Sequence, residues 1–145
     1  MSSTTDVEQV RNEWLERLND LMDTVEGWVK ELDWVTRRIE TTLKDSKLGK
    51  YKAPALVIQK ETYRVLLEPI THAAPGADGV FDLYLMPGLD DIASLYRSGG
   101  TWKIHYMFSD SPTVASIREA TAKPLNKDTL QEVLGEMIGV DQSMS

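Results

Sequence analysis

Apolar residues recur at alternating spacings of four and three along the start of the chain: Trp14, Leu18, Leu21, Val25, Trp28, Leu32, Val35 and Ile39. That spacing is a heptad seam, the mark of a helix with one apolar face. Thr4, Thr5 and Asp6 offer N-caps, and no proline precedes Pro54. The pattern predicts a helix over residues 6–44. Gly27 costs such a helix only about 1 kcal/mol and has no turn-forming cluster beside it, so the helix is expected to run through it. Leu15, Met22 and Val29 widen the stripe beyond a two-stranded seam, which suits a helix laid on a sheet.

The register then changes from helical to alternating. After a polar connection at 46–52, strands are predicted over 55–59, 62–68, 80–86, 92–98 and 101–108. Pro75-Gly76 marks a turn in the loop 69–79, Pro87-Gly88 stops the third strand, and Gly99-Gly100 is the best hairpin signal in the chain. Residues 109–124 read either as a short edge strand at 114–117 or as a helical turn at 116–122. A last helix is predicted over 126–138, with Asn126 as cap, Leu125 and Leu130 as a hydrophobic staple and Gly139 as stop. The residues 141–145 are polar and expected to fray. The order describes a single α+β domain: a long N-terminal helix packed on an antiparallel meander of about five strands (55–108), closed by a C-terminal helix.

A helix over 6–44 would be about 57 Å long at 1.5 Å per residue. Five strands span only about 24 Å. The overhang would expose Val7, Val10, Trp14 and Leu18, so these are the expected self-association residues of a homodimer.

Composition removes several classes of chemistry. The chain has 145 residues, 41% of them apolar and 27% charged, enough for one domain with a core of its own. Without cysteine, disulfide scaffolds, thiol catalysis and zinc ribbons are excluded. A net charge of −7 argues against a nucleic-acid coat, and no apolar run approaches the roughly 20 residues of a membrane span. Residues 1–5 lack a basic n-region and an apolar h-region, and Ser2 stands where myristoylation needs glycine, so a cytoplasmic protein is expected. The charge is not uniform. Residues 6–33 hold nine acids and three bases, while 37–52 hold six bases (Arg37, Arg38, Lys44, Lys47, Lys50, Lys52) and two acids. The basic stretch either complements a helix C-terminus or offers a site for an acidic or anionic partner.

The Gly99-Gly100 turn fixes a register that sorts residues by face. Ala93, Leu95, Trp102, Ile104 and Tyr106 share the face assigned to the core, with Arg97 beside the turn. Ser94, Tyr96, Lys103 and His105 share the other face, to which alternation adds Arg64, Glu68, Asp82 and Tyr84. Carboxylates, an imidazole, cations and tyrosines together are the ingredients of a ligand or partner face, or of acid–base work. A triad would need His105, Asp82 and Ser94, yet no GxSxG elbow is present, and no catalytic residue is assigned. Neither His72, expected exposed in its loop, nor His105 belongs to a metal-binding pair, so no metal or cofactor is expected. Asp90-Asp91 lacks the EF-hand pattern and is read as a turn.

The stretch Gly99-Gly100-Thr101-Trp102-Lys103-Ile104-His105 resembles the last hairpin of nuclear-transport-factor-like domains, over that hairpin alone. Size, acidity and helix-first order are similar to those of small type III secretion chaperones. No site residue is carried over from either. The expectation is a non-enzymatic cytosolic binding or assembly module, chaperone-like and homodimeric. Its alternative is a small-molecule-binding or acid–base domain built around Asp82 and His105.

Overall fold

The computed structural model of the chain describes residues 3–87, 92–106 and 121–139. Helix α1 (Ser3–Glu31) is followed by strands β1 (Val35–Asp45), β2 (Gly49–Lys60), β3 (Tyr63–Thr71), β4 (Val80–Met86), β5 (Ile92–Ser98), β6 (Thr101–Tyr106) and β7 (Thr121–Pro124), then helix α2 (Lys127–Met137). The strands form one antiparallel sheet in chain order. The architecture is α+β as expected, with seven strands among the described residues rather than about five. Asp90-Asp91, residues 109–120 and the tail 141–145 lie outside the described residues.

The main correction concerns residues 32–52. The helix runs through Gly27 but ends at Glu31, and residues 35–44, expected to be helical, belong to the first strand. The stop is a Schellman motif with aspartate in the left-handed position. Asp33 has φ of 71°, its N–H donates to the Lys30 carbonyl (3.1 Å), and the Trp34 N–H donates to the Val29 carbonyl (2.9 Å). Trp34 and Val29, the flanking pair of such a motif, are both buried. Beyond it, Val35, Thr36, Ile39, Thr41 and Thr42 are β-branched and suit a strand. The 46–52 connection is shorter than expected, because β2 already begins at Gly49. Asp45 closes the β1–β2 turn by accepting from the N–H groups of Lys47 (2.7 Å) and Leu48 (2.8 Å).

The core lies between the sheet and the two helices. Trp14, Leu18, Leu21, Met22, Val25 and Val29 of α1 meet Leu56, Ile58, Val65, Leu67, Phe81, Leu83, Leu95 and Ile104 of the sheet. Leu130, Val133, Leu134 and Met137 of α2 join the same cluster. Burying side chains of this size contributes about 1.5–3 kcal/mol each, so the apolar stripe of α1 is the main anchor of the fold. A shorter helix also removes the expected overhang. Trp14 and Leu18 are buried in the chain's own core, and Val7 and Val10 are partly buried against it.

Two prolines decide how the sheet bends. β2 pairs with β3 only from Leu56↔Leu67 to Lys60↔Tyr63. Continuing that register would set Pro54 opposite Pro69, and neither can donate a ladder hydrogen bond. The first half of β2 therefore pairs with β1 alone, and a register shift follows at Pro69/Thr71 on the β4 side. Freed from β3, the far half of the β1–β2 hairpin wraps along α1. Near the end of α1, Thr36, Leu56 and Ile58 face inward. Beyond Pro54 the core takes Leu43, Tyr51 and Ala53, of the opposite phase. The hairpin is fastened at both ends. Arg38 Nη2 donates to Asp23 Oδ1 (2.5 Å) and Glu26 Oε1 (3.1 Å), and Trp14 Nε1 donates to the Tyr51 hydroxyl (2.9 Å).

Candidate functional site

The β5–β6 register places Ser94 opposite His105, Tyr96 opposite Lys103 and Arg97 opposite Trp102, as the Gly99-Gly100 turn requires. On the face turned away from the helices, Glu68↔Asp82, Asp82↔Ser94, Ser94↔His105 and His105↔Ala122 are successive cross-strand partners. Four of the expected site residues thus form one transverse row over four strands. Tyr96 and Lys103 lie one step along, and Tyr84 reaches into the row by donating its hydroxyl proton to Glu68 Oε1. Arg64 does not join them. It is exposed near the start of β3, in register with Gln59 and Met86.

The same face is less polar than alternation through its charged residues suggests. Val57, Leu66 and Tyr84 are successive partners in a neighbouring row, and Ala55, Val57 and Leu66 form a second apolar cluster with Ile39, Tyr84 and Met86 around it. Leu66 lies between Arg64 and Glu68 in phase, so the alternation held the signal for this cluster.

The row has a definite electrostatic character. Burial pushes the Asp82 carboxyl above the ordinary aspartate range; the hydroxyl of Ser94 pulls it back, and the charge of Glu68 pushes it further up. The Tyr84 hydroxyl is pushed up to about 12, first by burial, then by its hydrogen bond to Glu68 and the charges of Glu68 and Asp82. Ser94 Oγ donates to Asp82 Oδ1 at 3.4 Å. A serine nucleophile needs its hydroxyl proton aimed at a base held by a third group. Here the serine sits between carboxylate and imidazole in the row, with its proton on the carboxylate. The arrangement suits hydrogen-bonding to a polar group by a partly buried Asp82 carboxyl. Among the described residues, no three His, Asp or Glu side chains are grouped to hold a metal ion.

The basic residues also change place. Arg37, Arg38, Lys44, Lys47, Lys50 and Lys52 lie on the β1–β2 hairpin and not at a helix C-terminus. Arg38 is tied to Asp23 and Glu26, and Lys52 to Glu40 (3.4 Å). Lys44 and Lys50 face each other directly across the hairpin, with exposed Lys47 in the turn between them. Like charges placed opposite are unfavourable in an isolated ladder. Beneath this tip, His72 Nδ1 approaches Asp45 Oδ2 at 3.2 Å, and both side chains are about 15% exposed. The expected exposed histidine is therefore a half-buried partner of the turn. Burial raises the Asp45 carboxyl, but the N–H groups of Leu48 and Lys47, with His72, outweigh it and hold the group below its ordinary value. No signal in the sequence links Asp45 to His72, because their contact depends on the hairpin leaving β3 at the two prolines.

No helix among the described residues is long and apolar enough to cross a membrane. Comparison with protein-family models, with curated proteins and with solved structures finds no match to the chain.

Proposed function

We propose that the chain is a non-enzymatic, cytosolic binding and assembly module that acts as a homodimer and presents the β1–β2 hairpin to acidic surfaces. The observation that carries this reading is the lysine-bearing hairpin tip, where Lys44 and Lys50 stand cross-strand beside Lys47. An opposing acidic surface relieves that repulsion. The outward side of α1, with Glu8, Glu13, Glu16, Asp20 and Asp23, is a surface of the required sign on the same molecule. The helix stripe serves the reading less well, since only Val7 and Val10 of its four residues keep exposed area. Light scattering between low and high salt tests the reading. A dimer that weakens steeply with salt supports it, and a monomer at every ionic strength refutes it.

A second reading rests on the raised Asp82 carboxyl beside Glu68, which fits a polar-ligand or acid–base site on the outer face. His105→Ala separates the two. Assembly is unaffected under the first reading, and a ligand-binding or turnover signal is lost under the second.

A further inference from the structure

The strand at the start of the sheet is unusual among edge strands. β1 is 11 residues long, contains no proline, and pairs with β2 without a register shift from Val35↔Gln59 to Asp45↔Gly49. Among the described residues its other side has no strand beside it. Edges of this kind are commonly shortened, bulged or broken by proline, because their open N–H and C=O groups template a further strand. β1 is not short, bulged or interrupted by proline, and Val35 is 66% exposed on it. The charges that guard it, Arg37, Arg38, Glu40 and Lys44, are of both signs and so can complement a second copy of the same strand.

The sequence of β1 is also self-complementary about Ile39. Reading outward, basic Arg38 falls against acidic Glu40, Arg37 against Thr41, Thr36 against Thr42, and apolar Val35 against apolar Leu43. We propose that β1 of one chain pairs antiparallel with β1 of a second copy, in the register centred on Ile39. This deepens the assembly reading and rests on it. A two-fold axis through Ile39 makes the contact isologous, so each pairing occurs twice and the assembly closes at two chains. Arg38 then lies opposite Glu40 of the second copy at both sides of the axis. Arg38 uses only Nη2 for Asp23 and Glu26, which leaves Nη1 for that contact, and the Glu40 side chain is 67% exposed. Val35 gains an apolar neighbour in Leu43 of the second copy. The same register sets Lys44 level with Trp34 of the second copy, one residue from Asp33 and close to the negative end of α1. Of the tip lysines, Lys44 thereby gains a neighbouring carboxylate.

The absence of cysteine makes a clean test, since each introduced thiol is the only one in its chain. In the full chain, Ile39→Cys places two thiols directly opposite, at a Cα separation of about 4.5–5.5 Å, and mild oxidation is expected to give a disulfide dimer. Val35→Cys places its two thiols eight residues apart along the ladder, about 27 Å, and is expected to stay uncross-linked. Glu40→Lys, at an exposed position, sets lysine against Arg38 on both sides and is expected to raise the dimer Kd by about tenfold or more. Equal cross-linking of both thiol variants would overturn the register. A wild-type dimer that neither cross-links at position 39 nor responds to Glu40→Lys would overturn the edge while leaving the assembly reading standing. A wild-type monomer at every concentration would overturn both.

Discussion

Replacing Gly79 by alanine tests how the N-terminal helix is locked to the sheet. Gly79 has φ of 154°, and a Cβ added there would stand 2.9 Å from Trp14 Cζ3 and 3.3 Å from Trp102 Cη2. Trp14 has little room to retreat. It is 1% exposed, its Nε1 is held by Tyr51 at 2.9 Å, and its ring lies 5.8 Å from that of Phe81, which in turn packs 5.5 Å from Trp102. Overpacking of this kind costs about 1–3 kcal/mol. The positive φ adds about 1 kcal/mol, giving roughly 2–4 kcal/mol in all. Two other glycines separate these contributions. Gly76 has φ of 79° and nothing within 4 Å of an added Cβ, so Gly76→Ala is expected to cost only the backbone strain, about 1 kcal/mol. Gly27 lies inside α1 with equal space, and Gly27→Ala is expected to stabilise by about 0.5–1 kcal/mol. Urea unfolding followed by tryptophan fluorescence and circular dichroism reads all three. With a slope of about 2 kcal/mol per molar urea, Gly79→Ala lowers the midpoint by about 1–2 M and Gly76→Ala by about 0.5 M. Equal midpoints for those two variants would refute the packing of Trp14 and Trp102 against Gly79.

Further outcomes follow from other parts of the structure. Asp33→Gly places the residue best suited to φ of 71° at the helix stop and is expected to raise stability by about 0.5–1 kcal/mol; a loss would contradict the Schellman ending. The raised Asp82 carboxyl makes the folded chain bind more protons than the unfolded one just above the ordinary aspartate pKa of about 3.9. Stability is therefore lost as pH rises through that window, and Asp82→Asn removes the loss. The stability of Asp82→Asn relative to wild type should grow from about pH 3.5 to neutrality in pH-resolved urea melts, and a constant difference would contradict the assignment.

What was legible in the sequence depended on local chemistry. The α1 stripe from Trp14 to Leu32, the Gly99-Gly100 register, β4 and α2 with its Asn126 cap each carry their own signal within a few residues. β1 was hidden because Val35 and Ile39 happen to continue the heptad spacing, while the helix stop uses aspartate where glycine is the usual sign. The enrichment of β-branched residues after Trp34 was the signal available. The row Glu68–Asp82–Ser94–His105 followed from alternation plus one turn, whereas the Asp45–His72 contact did not. That pair depends on two prolines 15 positions apart ending the same ladder, a long-range consequence that no local pattern carries.

Hydrogen exchange of the β1 amides, measured at low and at high protein concentration, tests the assembly most directly. The amides of β1 that point away from β2 are expected to exchange freely when dilute. They should gain protection centred on Ile39 when concentrated, while the helix amides stay unchanged. Exchange of β1 that is the same at every concentration would contradict a dimer built on this strand.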